Sequence, residues 1–281
     1  MTTGITGATG QLGRIVVDKL KMKLPPSDIV ALVRSPEKAA DLGVQARAAD
    51  YTQPGALAAA FAGIDTLLLI SSSEVGQRTS QHRNVIEAAK RAHVKRIVYT
   101  SLLHADTSPL SLAGEHRETE SMIRGCGIPF TVLRNGWYME NHTASAKAAL
   151  SAGALIGAAA DGRIAGAARE DYAEAAVVVL TTLGHQGRTY ELAGDAPYTL
   201  ADLAGEIGRQ AGRNIPYRDL GEAGYASALE AAGLPGWLAQ ALAAWDADAS
   251  RGALDERGHA LSRLIGRPTT PLSAAVARAL A

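Results

Sequence analysis

Three glycines near the start of the chain, Gly7, Gly10 and Gly13, are spaced G-x-x-G-x-x-G inside the stretch GITGATGQLG, Gly4–Gly13. A short β-like piece, Ile5–Thr6, precedes them, and apolar residues at helical spacing follow (Leu12, Ile15, Val16, Leu20). A strand, a glycine turn and a helix gather unpaired backbone N–H groups and the positive end of a helix dipole at one point. That arrangement suits a pyrophosphate. The first glycine permits the tight turn, the second lets the phosphates approach the backbone, and the third lets helix and strand pack closely. An ordinary glycine-rich βα turn can show the same spacing; the strand–helix context and the βα units that follow favour dinucleotide binding. The three glycines carry those roles, and Ala8, Thr9, Gln11 and Leu12 fill the positions between them.

Further candidates stand where later strands end. Arg34 follows the apolar run IVALV. A carboxylate at that place bonds the ribose 2′-hydroxyl of NAD, whereas an arginine pairs with a 2′-phosphate and so selects NADPH over NADH. A solvated surface charge is the other reading of Arg34. Asp50 ends the next strand and can bond the adenine edge or simply start a turn. Ser71, Ser72 and Ser73, in SSSEVGQ after the fourth strand, are small enough for a ribose to lie against the backbone, though serines are also ordinary loop residues. Ser101 ends the fifth strand on the same side.

The elements that must position these residues alternate through the first half. Strands are expected at Ile29–Val33, Val44–Ala49, Thr66–Ile70, Arg96–Ser101 and Pro129–Leu133. Between them lie a short helix from Pro36, one ending near Phe61, and longer ones over Ser80–Ala92 and Leu112–Arg124. Strands this apolar, separated by helices, are buried on both faces of a parallel sheet. The fold class is therefore α/β, a doubly wound parallel sheet of Rossmann type, with a smaller C-terminal α+β substrate lobe. The domain reading is 1–135 for nucleotide binding, with later strands contributed from the second half, and 136–281 for the lobe. The first strand, MTTGIT, is poor in apolar residues for a central position, and Gly4 weakens it further. In the second half, short strands are expected at Ala154–Ala159, Arg188–Ala193 and Ile215–Tyr217, and helices at Glu170–Leu183 and Leu200–Ala211. Beyond Glu222 the chain is mostly helical. Thr270 followed by Pro271 reads as a cap and first residue of a last helix, Pro271–Leu280.

With 281 residues the chain can bury a large core. Lys+Arg and Asp+Glu both total 28, so no net field draws it to nucleic acid or to an anionic membrane. No apolar run approaches the ~18 residues of a membrane span. The chain enters the glycine turn without a signal-like pattern. The lone cysteine, Cys126, forbids an internal disulfide and a metal site built on several thiolates. A cytoplasmic location is expected.

Seven blocks carry a family resemblance: GATGQLG, LLLISSSEVGQ, YTSLLHADTSPL, GIPFTVLRNGWYMEN, the segment from Gly157 to Tyr172, YELAGD and LIGRPTTPL. Together they resemble the NmrA-like branch of atypical short-chain dehydrogenase/reductases over essentially the whole chain. The likeness is greatest to bacterial flavin-free NAD(P)H:quinone oxidoreductases and weaker to triphenylmethane-dye reductases. The resemblance implies that the segment Gly7–Leu12, Arg34 and the loop Ser71–Ser73 hold the nucleotide. It adds the loop of Asn135, Gly136, Trp137, Tyr138, Met139 and Glu140, and the basic residue Arg169. Read from the residues, this loop follows the sixth strand and can reach the nicotinamide end. Trp137 and Tyr138 offer flat faces to a planar substrate, or pack the lobe. Arg169, at a helix start, can equally be a surface charge.

The pattern of the wider family, a Tyr with a Lys four residues later, is missing. Counting back from Gly127–Pro129, these positions fall on Leu112 and His116, and no tyrosine lies between Tyr99 and Tyr138. A ketone needs such an acid, because the alkoxide left by hydride addition is a strong base. A quinone leaves a phenolate with acidity near tyrosine's ~10 and needs it less. His116 is the nearest candidate donor, or else a polar residue on a surface helix; no catalytic residue is assigned. In HRETE, His116 and Glu120 are two groups at i and i+4, too few for a metal and suited to a helix-face contact. The expectation is an NADPH-dependent quinone reductase, with NADH a weaker cofactor and neither flavin nor metal. Two alternatives stand: an NADP(H)-binding regulatory sensor of the NmrA type, and a dye reductase.

Overall fold

The computed structural model describes all 281 residues as two compact units. The first comprises Met1–Thr107, Leu112–Asn135 and Arg169–Leu192; the second comprises Ser108–Ser111, Gly136–Ala168 and Ala193–Ala281.

The first unit is built on β1 (Thr3–Thr6), β2 (Ile29–Val33), β3 (Gln45–Ala48), β4 (Thr66–Leu69), β5 (Arg96–Leu102) and β6 (Phe130–Asn135). The later β8 (Thr189–Leu192) completes a seven-stranded sheet in the order β3-β2-β1-β4-β5-β6-β8. Every neighbouring pair is parallel. Helices α1 (Gln11–Lys21), α2 (Pro54–Ala60), α3 (Arg78–Arg91), α4 (Ala113–Gly125) and α7 (Arg169–Thr181) lie in the crossovers, and a 3-10 segment, Pro36–Leu42, makes the one from β2 to β3. Alternation along the strands sends Leu67, Leu69, Tyr99 and Val132 into a cluster with Leu57, Val85, Ile86 and Ile123 of α2–α4. The alternate set, including Ile5, Leu68, Val98 and Leu133, is equally buried. On α1, Val16, Val17 and Leu20 are buried, and α1 packs on α7. Lys19 adds ion pairs to Glu170 and Glu174, both at 3.3 Å.

The polar first strand is central, and its residues explain how. The Thr6 hydroxyl donates to the Leu68 carbonyl (3.1 Å) and accepts from the Ile70 N–H (3.0 Å), so it prolongs the β1–β4 ladder past the backbone's own bonds. At Gly4, a Cβ would come within 2.8 Å of Leu32 Cδ1 and 3.1 Å of Ile64 Cγ2. The glycine is thus the space into which neighbouring apolar residues pack.

The second unit holds a two-stranded parallel sheet of β7 (Leu155–Gly157) and β9 (Tyr217–Asp219). Its helices are α5 (Met139–Thr143), α6 (Ala146–Ala152), α8 (Leu200–Ala211), α9 (Gly221–Ala231), α10 (Gly236–Ser250), α11 (Ala260–Ile265) and α12 (Leu272–Leu280). Close approach replaces a large sheet here: a Cβ on Gly194 would stand 2.1 Å from the Gly166 carbonyl oxygen, and one on Gly162 2.4 Å from that of Ala249. Asp195 ties distant segments together, accepting from the Thr269 N–H (2.8 Å), the Ser262 hydroxyl (2.6 Å) and His259 Nδ1 (2.9 Å).

Three expectations need correction. The last helix starts one residue later: Pro271, at φ −71° and ψ 153°, is itself the extended N-cap, so Thr270 does not cap it. The third short strand lies at Tyr217–Asp219 instead of Ile215–Tyr217, because its partner β7 pairs Leu155 with Tyr217. The RNGWY segment is not one loop, since Arg134 and Asn135 complete β6 and Met139 opens α5.

Candidate functional site

In the first unit the strand order reverses at β1, between β2 and β4, and ligands of open α/β sheets bind beyond the carboxyl ends at such a point. Gly7 emerges from β1 with φ +61°, a conformation that favours glycine, and its N–H donates to the Leu32 carbonyl at 3.0 Å. The Gly10 N–H donates back to the Gly7 carbonyl at 2.9 Å. Any Cβ on Gly13 would stand 2.3 Å from that carbonyl oxygen, so only glycine lets α1 rise this close to the turn. Gly10 caps α1 with no side-chain acceptor, which leaves the first amides of the helix to an anion. Ala8 and Leu12 are buried, Thr9 is half-buried, and Gly10 and Gln11 are exposed. Arg14 Nε holds the turn by donating to the Thr9 carbonyl at 3.2 Å. This cradle fits a pyrophosphate.

Beside it, the loop after β4 is held from below. The Ser71 N–H donates to Thr100 Oγ1 (2.9 Å) and the Ser72 N–H to His82 Nε2 (3.0 Å). Nε2 must therefore be bare and Nδ1 protonated, and Nδ1 lies 3.0 Å from the Thr119 hydroxyl. Burial, then the charge of Arg78, pushes His82 down to about 3, which keeps that tautomer neutral. Arg78, itself buried, donates to the Ser72 carbonyl (2.8 Å) and pairs with Glu115 (3.2 Å). The serine side chains are left on the outer side, Ser71 and Ser72 half-buried and Ser73 exposed. Across the switch point, Arg34 is an exposed side chain whose Nη1 meets Glu74 Oε1 at 2.8 Å. Asp50 is in use as a turn residue, its Oδ1 accepting from the Thr52 N–H (2.9 Å) and hydroxyl (2.8 Å).

His116 is buried under the sheet rather than on a surface helix. Its Nδ1 is 2.7 Å from the Tyr99 hydroxyl, and burial, then Arg78, lowers it to about 3. Glu120, four residues on, pairs with Arg134 and Ser101 of the sheet and with Arg124 of its own helix, not with His116, so the two do not form the helix-face contact that HRETE suggests. Arg134 of β6 grips Glu120 with two bonds of 2.9 Å and also meets Glu191 (2.7 Å) and Asp106 (3.0 Å). Ser101 donates to the same carboxylate at 2.6 Å.

The sheet thus brings Gly7–Leu12, Arg34 and Ser71–Ser73 to one edge of the first unit. Asn135 closes β6 and Arg169 opens α7, both in that unit. Gly136, Trp137, Tyr138, Met139 and Glu140 belong to the second unit. There Tyr138 bridges Ala167, the Met139 N–H donates to the Ala167 carbonyl (2.9 Å), and Glu140 lies in the first turn of α5. Trp137 sits among aromatic rings, 5.8 Å from Trp245 edge-on and 6.3 Å from His142. His142 Nδ1 lies 3.0 Å from the Tyr198 hydroxyl, and Nε2 lies 3.9 Å from Asp246. Burial lowers His142 to about 4 and raises Asp246 to about 6, so between those values both are neutral and the contact is no ion pair. Glu74, His82, Tyr99 and Arg134 went unassigned in the sequence. Only Glu74 left a signal, its place in SSSEVGQ, and its pairing with Arg34 depends on strand order.

The profile of the NAD(P)H-binding family matches residues 7–183. Quinone oxidoreductase 2 of Escherichia coli strain K12 is 56% identical over 275 residues, 97% of this chain and 96% of the relative. The crystal structure of the NADPH-dependent quinone oxidoreductase of E. coli complexed with NADPH superposes with a TM-score of 0.97 at 55% identity, covering all of both chains. The triphenylmethane reductase of Citrobacter sp. complexed with NADP(H) superposes at 0.96 with 37% identity, covering 99% of this chain and 100% of that one. With a glycine cradle of this geometry and likeness along its whole length, the chain belongs to the NmrA-like NAD(P)H-binding family.

Proposed function

We propose that the chain is an NADPH-dependent quinone reductase that acts by direct hydride transfer, without flavin or metal. The observation that carries this reading is the full-length likeness to a quinone oxidoreductase solved with NADPH, joined to a cradle that fits the nucleotide. Bound NADPH supplies the hydride. The turn Gly7–Leu12 and the amides of α1 receive the pyrophosphate, and Arg34 receives the 2′-phosphate. Ser71–Ser73 line the ribose, and Asn135 and Arg169 of the same unit complete its cofactor contacts. Trp137 and Tyr138 present flat faces to the quinone. The protein's part is proximity, orientation and exclusion of water.

Proton supply is the lesser problem. Position 112 is a leucine at the N-cap of α4, and His116, neutral and bonded to Tyr99, offers at most a neutral donor. A quinone tolerates this, because the phenolate formed has an acidity near ~10 and takes its proton from solvent. A cytoplasmic location, where the lone Cys126 stays reduced, goes with this reading.

Steady-state loss of NADPH absorbance with 1,4-benzoquinone tests the proposal: turnover saturable in both substrates is expected. Tight NADP⁺ binding without turnover would move the chain to the regulatory alternative. The Citrobacter likeness favours a second acceptor class, cationic triphenylmethane dyes, and a decolourising assay reads it.

A further inference from the structure

The pair Arg34–Glu74 has a second half that the nucleotide reading does not use. Glu74 Oε1 takes Arg34 Nη1 at 2.8 Å, and its other oxygen, Oε2, accepts from Gln81 Nε2 at 2.6 Å. Gln81 lies on α3 and is buried, so the carboxylate is set in place from the protein's interior. The loop reinforces it: the Glu74 N–H donates to Ser72 Oγ at 3.2 Å, and the Gln77 N–H to the Glu74 carbonyl at 3.1 Å. An ion pair this exposed contributes little to stability. Its effect is on what approaches Arg34.

We propose that Glu74 is a specificity-determining residue that opposes Arg34, holding down the preference for a 2′-phosphate and keeping the site open to the unphosphorylated coenzyme. The inference rests on the NADPH reading above. A 2′-phosphate carries a charge of about −1.5 to −2 near neutral pH, by analogy with other phosphomonoesters. On reaching Arg34 it must either displace Glu74 from the guanidinium or share it, with two anions side by side. A 2′-hydroxyl meets no such repulsion, and a carboxylate at this edge can accept its hydrogen bond, as acidic residues do in NAD-binding folds. Arg34 thus favours one coenzyme and Glu74 the other.

The test uses fragments that carry only the relevant difference, 2′,5′-ADP and 5′-ADP, titrated calorimetrically into the full chain. Glu74→Gln keeps an acceptor for Gln81 and removes the charge. It is expected to raise the affinity ratio of 2′,5′-ADP to 5′-ADP by about three- to tenfold, the size of one screened charge at short range. Arg34→Ala is expected to move the ratio the other way. A Glu74→Gln ratio within about twofold of wild type, or shifted toward 5′-ADP, overturns the role of Glu74 while leaving the nucleotide reading intact. A wild-type chain that binds neither fragment overturns the nucleotide reading, and this inference with it.

Discussion

Arg34 and Arg134 both stand at carboxyl ends of parallel strands in one sheet, with opposite surroundings. Arg34, just past β2, has a side chain 71% exposed and one carboxylate partner; Arg134, in β6, is 7% exposed and touches Glu120, Glu191 and Asp106. A guanidinium in water is free to change partners, so Arg34 is suited to a ligand. A guanidinium enclosed by carboxylates cannot leave without stranding them, so Arg134 is suited to fixing the ends of β5, β6 and β8. Asp246 in the second unit extends the contrast. Glu120 is buried yet keeps a lowered pKa: burial opposes ionisation, but Arg134, Ser101 and Arg124 outweigh it. Asp246 is buried with a backbone N–H from Ala158 and no arginine, and it rises to about 6.

The largest effect is expected at Arg134. In Arg134→Met, Glu120 keeps only Arg124 (2.8 Å) and Ser101, and stability should fall by about 3–5 kcal/mol, as when one partner of a buried pair is removed. Urea denaturation reads this. A loss under about 1 kcal/mol would erase the distinction between the two arginines.

Asp246→Asn sharpens the contrast from the other side. The folded pKa of Asp246 is above its ordinary 3.8, so its contribution is fully favourable below about pH 4 and is lost as pH rises through about 6. His142, lowered toward 4, works in the opposite sense: it contributes above its ordinary 6.5, and that contribution is lost as pH falls through about 4. The two slopes offset each other in the wild type. Asparagine keeps an acceptor for the Ala158 N–H but does not ionise. The variant should therefore gain on wild type by about 1–3 kcal/mol between about pH 4 and pH 7. Parallel curves across that range would mean that Asp246 titrates normally.

At Arg34 the effect should be small on stability and larger on binding. Arg34→Ala should unfold within about 1 kcal/mol of wild type, because the ion pair lost is exposed. Its KM for NADPH should nevertheless rise about tenfold or more, and its KM for NADH little, since only NADPH carries the 2′-phosphate. Equal changes for both would remove Arg34 from the site.

These contrasts also mark what could be read without coordinates. The glycine turn was legible because its chemistry is local: three glycines, a strand and a helix within a dozen residues. The helix Leu200–Ala211 is local in the same way: Thr199 and Asp202 form a capping box at its start, and Gly212 takes the left-handed conformation at its end. Helix α4 misled because its buried face carries His116, Thr119, Glu120 and Ile123. Three of these are polar, and their partners (Tyr99, His82, Arg134 and Ser101) lie on other elements. Such a face looks like a solvated one until the strands are in order. The second unit was the least legible, because it depends on close approaches such as Gly194 to Gly166 and on the link from Asp195 to Thr269, 74 residues apart. Neither leaves a periodic trace.

The central claim is that the first unit holds a reduced nicotinamide nucleotide on its opening turn and reads the 2′-phosphate through Arg34. Calorimetric titration of the full chain with NADPH, and then with NADH, tests it most directly. A single saturable site that binds NADPH more tightly than NADH is predicted. An absence of binding by either coenzyme, or equal affinity for both, would contradict it.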